Sequence, residues 1–130
     1  MKKAIVVIVL CLLFPIGGAA EEYDWYVVFP YYAKDNYWWT GIAVFCGIAP
    51  ASFSIAVFDS NGDAVANGEF ALTKQREQKV DLLENFFGGA AIPACGSIYI
   101  FATNHFEVSM FMGNSSGGFS FVNQTAKPYQ

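Results

Sequence analysis

The chain has 130 residues, a formal net charge of −4, few charged residues (14%) and a high share of aromatic ones (18%). This length fits a single domain, and an aromatic-rich, charge-poor composition is the opposite of a disordered one. An acidic chain without a Lys/Arg cluster lacks the basic surface that nucleic acid requires, and anionic lipid requires the same. Both are therefore excluded as partners.

The first twenty residues have the pattern of a secretory signal peptide. Lys2 and Lys3 precede an apolar run over Ala4–Phe14. Gly18-Ala19-Ala20 then places small residues at the positions that signal peptidase requires. We therefore predict residues 1–20 to be a signal peptide that is cleaved after Ala20.

Cleavage leaves residues 21–130 as a single domain with a net charge of about −6, because two lysines are lost. We expect this domain to be secreted or periplasmic in a bacterium. The apolar run is shorter than the about 20 residues of a membrane-spanning helix, so no integral membrane span is expected after cleavage. The alternatives are an uncleaved anchor and, less favoured, a lipoprotein modified at Cys11.

The first half of the mature chain predicts an edge strand followed by a central strand pair. Trp25–Tyr32 has strand composition, but Pro30 cannot donate to a neighbouring strand, which predicts an edge strand with a kink. Thr40–Cys46, within the run that begins at Trp38, and Ser52–Phe58 are the central pair; the second alternates apolar and small residues, as a half-buried strand does. Asn61-Gly62 predicts a type I′ hairpin turn.

The second half predicts further short strands separated by turns. They are Ala64–Ala66, Glu69–Thr73, Lys79–Leu83 with a short helical turn after it, Ser97–Ala102, His105–Met112 and Phe119–Val122. A helix over Gln75–Asn85 is the alternative to the third strand, because its residues are good helix formers. Turn signals recur every eight to twelve residues and no helical period is sustained. We therefore predict an all-β fold, an antiparallel sandwich of about 7–8 strands.

Three segments carry a resemblance to known proteins: Trp39–Phe45 (WTGIAVF), Phe58–Asp63 (FDSNGD), and Phe70-Ala71-Leu72 before a polar turn. Together they resemble the immunoglobulin-like β-sandwich modules of exported bacterial proteins, many of unassigned function. The strand order is also similar, more loosely, to the sandwich of the sensory-rhodopsin transducer family, a soluble oligomer. The resemblance implies an immunoglobulin-like sandwich and no catalytic residue.

Two cysteines remain after cleavage, Cys46 and Cys95. An exported chain with an even, minimal number of cysteines predicts one disulfide; the alternative is two buried free thiols. The family pattern usually has Asn where Cys46 stands, a departure that a disulfide to Cys95 would fit. The pair has no CxxC spacing and His105 is the only histidine, so we predict no metal site and no redox role.

Other polar patterns predict no catalytic site. Asp59, Asn61 and Asp63 have the spacing of the start of a calcium loop, but Ala64 and Phe70 stand where its Gly and Glu belong. The hairpin accounts for the same residues. His105 has no nucleophile motif beside it, and no pair of carboxylates is placed to face across a cleft. We therefore predict a non-enzyme without a cofactor.

One aromatic cluster has functional promise: Tyr31, Tyr32, Tyr37, Trp38 and Trp39 gather at a strand end and its loop. Exposed rings there would stack on sugars or anchor a protein interface. The alternative is that Trp39 and Tyr32 fill the core while the others flank it.

A second apolar concentration lies near the carboxyl end, at Met110, Phe111, Met112, Phe119 and Phe121. Adjacent apolar positions in one strand indicate that a sheet face is covered, and we predict Met110, Met112 and Phe119 to form an interface. The favoured function is a structural or protein-interaction module at the cell envelope, self-associating or bound to a protein partner. The alternative is a small carbohydrate-binding module that uses the Tyr31–Trp39 aromatics.

Overall fold

The computed structural model describes residues 22–129, so the predicted signal peptide and its cleavage after Ala20 lie outside the described residues. This part of the chain forms nine strands and one short 3-10 helix. The strands are β1 Trp25–Ala33, β2 Trp38–Phe45, β3 Ala51–Phe58, β4 Ala64–Leu72, β5 Gln78–Leu82, β6 Cys95–Ala102, β7 Glu107–Asn114, β8 Phe119–Thr125 and β9 Lys127–Pro128, and the 3-10 helix is Leu83–Phe87. The prediction of an all-β fold is confirmed.

The strands form two antiparallel sheets. The five-stranded sheet has the order β4-β3-β6-β1-β9 and the four-stranded sheet the order β5-β2-β7-β8. In the immunoglobulin arrangement the first two strands share a sheet. Here β1 and β2 lie in different sheets, so the strand order does not carry the immunoglobulin-like assignment. Among residues 22–129, no helix is long and apolar enough to cross a membrane.

One hydrophobic core lies between the sheets. Side chains from both sheets are fully buried there, among them Ile42 and Val44 of β2, Ile55 of β3 and Ile100 of β6. Burying each such side chain contributes about 1.5–3 kcal/mol. Strand β3 is buried on its other face as well, since Ser54 and Ala56 are also inaccessible, so it is a central strand and not the half-buried strand that its alternation predicts.

Strand β1 has the predicted kink. Its register with β6 shifts between Phe29 and Tyr32, around Pro30, which is the position of a bulge. The strand is an edge strand over most of its length, because β9 pairs only with Trp25 and Tyr26. The segment predicted to be a tail after Val122 instead extends β8 to Thr125 and adds β9.

One predicted break between strands, after Ala66, is wrong. Asn67-Gly68 does not end a strand, because β4 runs unbroken from Ala64 to Leu72. A Cβ at Gly68 would overlap the carbonyl oxygen of Phe86, so this glycine lets the 3-10 helix cross β4 closely. The alternative helix over Gln75–Asn85 is also absent from the structure, where β5 precedes the short helix as predicted.

The β3–β4 hairpin does not have the predicted type I′ turn. Gly62 has a positive φ of 85°. Asn61 does not have a positive φ, because Arg76 is the only non-glycine residue among positions 22–129 that has one. A longer loop closes instead. Its closure depends on Asp59, whose carboxylate accepts the N–H groups of Asn61 and Asp63 at 2.9 and 3.0 Å.

The predicted disulfide is not formed, since Cys46 is a buried free thiol and Cys95 an exposed one. Cys95 pairs with Ala33, whose carbonyl accepts the hydroxyl of Thr40 at the start of β2. Cys46 follows the far end of β2, about 20 Å away at about 3.3 Å per residue. A disulfide needs Cα atoms within about 7 Å, so the fold keeps the two thiols apart.

Candidate protein-interaction face

The residues of β7 that face outward are not the ones predicted to form an interface. Met110 is buried in the core, and Met112 packs against it. Phe111 lies between them in sequence and therefore points out of the sheet, because successive strand residues face opposite sides. The predicted interface residues Met110 and Met112 are thus core residues, whereas Phe119 is 60% exposed.

The register of the four-stranded sheet places apolar residues side by side on its outer surface. Directly opposed residues of antiparallel strands share a face. One row is Trp39, Gly113 and Phe119, and the next is Leu82, Gly41, Phe111 and Phe121. A third row begins with Val80 and Ala43 and ends with Ser109 and Asn123. We define the outer apolar face as Trp39, Val80, Leu82, Phe111, Phe119 and Phe121.

Two glycines allow the large rings to lie over the sheet. The indole of Trp39 occupies the space that a Cβ at Gly113 would take. It also meets Phe119, with ring centroids 6.1 Å apart. Phe111 stacks on Phe119 at 6.1 Å and contacts Phe121 at 6.3 Å. The rings therefore form one continuous cluster.

This surface is exposed and almost uncharged. Phe121 and Val80 are each 61% exposed, and Leu82 and Trp39 are 43% and 39% exposed. With aromatic side chains of about 150–250 Å² each, the face offers roughly 500 Å² of apolar surface. Among the described residues that point outward from this sheet, Glu107 at the far end of β7 is the only charged one.

The other sheet covers its own outer aromatics. Phe101 on β6 is only 8% exposed, because Tyr26, Tyr99 and Tyr129 surround it. Tyr129 meets the ring of Phe101 at 5.9 Å and is held by a 2.7 Å hydrogen bond from its N–H to the carbonyl of Asp24. By contrast, no residue among positions 22–129 covers the outer apolar face of the four-stranded sheet in this way.

The predicted cluster of Tyr31, Tyr32, Tyr37, Trp38 and Trp39 is divided among three places. Tyr32 is buried, and its hydroxyl donates to the carbonyl of Pro93 at 2.7 Å; burial raises the pKa of this hydroxyl, with a further contribution from Cys95. Trp39 belongs to the outer apolar face. Tyr31, Tyr37 and Trp38 are exposed, and the last two rings meet edge to face at 83°.

A tight turn positions Tyr37 and Trp38. The carboxylate of Asp35 accepts the N–H groups of both residues at 2.7 Å. These bonds, from Trp38 first and then Tyr37, hold the pKa of Asp35 below its usual range. The hydroxyl of Tyr37 donates to Ser116 in the β7–β8 loop at 3.0 Å, which joins the two loops at this end of the sheet.

The remaining polar candidates have structural partners. Asp59 closes its hairpin, and the exposed His105 lies edge-on to the Trp25 ring at 5.0 Å. Within residues 22–129, no three His, Cys, Asp or Glu side chains are grouped to hold a metal ion. Sequence reasoning did not assign Trp39, Val80 and Leu82 to one surface with Phe119, because their common face depends on the order of strands in the sheet.

Comparison with known proteins gives a likeness of fold. No protein-family model matches the chain, and no curated protein matches its sequence. The crystal structure of Thermotoga maritima 1070 is similar, with a TM-score of 0.58 over 81% of this chain and 92% of that one, at 12% sequence identity. At this identity the similarity shows the fold alone.

Proposed function

We propose that this protein is an exported, non-catalytic protein-interaction module at the cell envelope, and that it self-associates through the outer side of its four-stranded sheet. One observation carries the proposal: large apolar side chains of four adjacent strands lie exposed on one nearly uncharged surface. The largest apolar patch of a typical monomer is about 300–600 Å² and is often functional. Interface centres are likewise poor in charge and rich in aromatic residues.

A carbohydrate-binding role has weaker support. A sugar-stacking surface needs rings that lie roughly in one plane, whereas Tyr37 and Trp38 meet edge to face and Tyr32 is buried. On the outer apolar face the neighbouring rings are tilted by 26–41°. A glycan screen with Trp38→Ala as control distinguishes the two functions, since saccharide binding that this substitution removes would favour the alternative.

The proposal is tested by the solution mass of the protein in its native, processed form. Light scattering behind a sizing column at roughly 10–500 µM covers the range in which a modest interface dissociates. We expect a defined oligomer that Phe121→Glu dissociates, because the substitution places a charge within an apolar contact. Intact mass first checks the predicted processing after Ala20.

Val65→Glu is the matched control, because Val65 is 42% exposed on the other sheet. This variant is expected to keep the wild-type mass. A wild-type protein that is monomeric throughout the concentration range would overturn the self-association proposal. Equal loss of mass in both variants would place the interface elsewhere.

A further inference from the structure

Three of the four outermost sheet edges carry features that prevent pairing with another strand. Strand β4 has the charged Glu69 and a bulge at Val65, which lies between the paired residues Ala64 and Ala66. Strand β5 has only five residues, among them Lys79 and Asp81. The β1 edge has Pro30 at its bulge, and β9, which covers its start, ends at Pro128. Charges, prolines, bulges and covering elements are the devices by which proteins block an edge.

Within residues 22–129, strand β8 has none of these devices before Gln124, whose side chain donates to the carbonyl of Val28 on β1 at 2.8 Å. Its sequence FSFVNQT holds no charge and no proline, and its register with β7 runs without a shift. Phe121 is 61% exposed on the outer side, and Val122 is 43% exposed on the opposite side. A partner that covered only the outer apolar face would leave Val122 exposed, whereas a strand added at the edge would cover both sides.

The backbone groups of β8 that are free to pair follow from its bonds to β7. Asn114 N–H donates to Gly118 at 3.0 Å, and Ala126 N–H donates to Phe106 at 2.9 Å. Hydrogen-bonded and non-bonded pairs alternate in an antiparallel ladder. Between these two bonds, the backbone groups of Phe119, Phe121 and Asn123 therefore point away from β7.

We propose that β8 pairs antiparallel with β8 of a second copy of this chain, so that two four-stranded sheets join into one of eight strands. This inference rests on the proposed self-association and places its contact along the β8 margin of the outer apolar face, so that Trp39, Val80 and Leu82 lie outside the contact. The free groups all belong to alternate residues, so two copies match each other about a two-fold axis and keep their outer faces on the same side. Phe119 and Phe121 of both copies then lie together.

Charge and area both suit a second copy. Two copies of an acidic chain repel each other, but β8 itself is uncharged and the nearest outward charge, Glu107, lies at its far end. Exposed Phe119, Phe121 and Val122 offer roughly 300 Å² per copy, to which the paired backbone adds. A contact of this size belongs with weak, transient interfaces of less than about 1,200 Å² in total, so the dimer is expected to dissociate at micromolar or higher concentrations.

Asn123→Pro and Asn123→Ala test this geometry as a matched pair. Both lose the side chain that accepts a hydrogen bond from Ser109, but only proline removes the edge-facing N–H, and edge strands tolerate it. We expect Asn123→Ala to keep the dimer and Asn123→Pro to weaken it by at least about tenfold. Val65→Glu on the other sheet is expected to keep the dimer. Val80→Glu separates two geometries, because it would dissociate a dimer held face to face across the outer apolar face but not one held at the β8 edge.

Amide hydrogen exchange measures the same pairing in the wild-type protein, in which no substitution can alter the fold. The N–H groups of Phe119, Phe121 and Asn123 are expected to be protected at high concentration and to exchange faster on dilution. A dimer whose edge amides exchange freely, or one that Val80→Glu dissociates and Asn123→Pro does not, would overturn the β8 pairing and leave self-association standing. A monomer at every concentration would overturn both. If these amides were protected only in the presence of a different protein, the proposal that a second copy of this chain is the partner would also be overturned.

Discussion

The contact between Trp39 and Gly113 decides how flat the outer apolar face is. Gly113→Ala would force a methyl group into the indole, so we expect it to displace Trp39 and to lower the free energy of unfolding by about 1–3 kcal/mol. Urea unfolding followed by tryptophan fluorescence measures both effects.

Gly41→Ala is the control for this prediction, because Gly41 lies on the same face of the neighbouring strand. A Cβ there would have Asp81 O at 3.6 Å as its nearest neighbour, which is an ordinary contact. We expect it to change the free energy of unfolding by less than about 1 kcal/mol. A similar loss in both variants would show that the Trp39 contact is not the cause.

The two cysteine side chains differ in accessibility. Cys95 is exposed, whereas Cys46 is buried and donates its thiol to the carbonyl of Lys74 at 3.2 Å. We expect a thiol reagent to modify Cys95 in the folded protein and Cys46 only after unfolding, and reductant to leave the unfolding midpoint unchanged. Intact mass spectrometry of the labelled protein measures the first result. A midpoint that reductant lowers would show a disulfide.

At the scale of the element, the β1–β2 turn depends on an ionised Asp35. The N–H groups of Trp38 and Tyr37 lower the pKa of this carboxyl. The ionised carboxylate therefore stabilises the turn fully at pH values above its ordinary pKa of about 3.9, and this stabilisation is lost as the pH falls through the lowered pKa. We expect NMR titration to show Asp35 titrating below that value, with the amides of Tyr37 and Trp38 shifting at the same pH.

Asp35→Asn is the matched control, since it keeps an oxygen acceptor but has no titration in this range. The amide shifts of Tyr37 and Trp38 at low pH should disappear in this variant. An Asp35 that titrates at or above the ordinary value would contradict the role of these two bonds.

Sequence patterns predicted most elements but misjudged Gly68. The alternation around Phe70 and Leu72, and the polar run before Lys79, located β4 and β5 well. Gly68 indicated a turn, because glycine is the usual residue of a break. Its actual role is to leave room for the carbonyl of Phe86, which comes from a distant element, and Gly113 makes the same kind of room for Trp39. Contacts between residues that are distant in the sequence leave no local sequence pattern.

At the scale of the whole molecule, the all-β class followed from the sequence, whereas the exposed surface did not. Met110, Phe111 and Met112 are apolar at consecutive positions, so a period of two cannot decide which side faces the core. The choice depends on pairing, since Phe111 lies opposite Gly41 on one side and Phe121 on the other. The disulfide prediction failed because it also depended on strand pairing. The number of cysteines does not show that Cys46 and Cys95 lie at opposite ends of the structure.

The proposed pairing of β8 would also set an upper limit on assembly. In an eight-stranded sheet the outermost strand at each end is β5, whose Lys79 and Asp81 discourage a further strand. Growth would therefore terminate at two chains, although each copy presents the same open edge to every other. Replacing these two charged residues with strand-forming residues would allow further chains to add, so that the dimer would grow into an open-ended filament. The short polar strand β5 thus limits assembly to two chains.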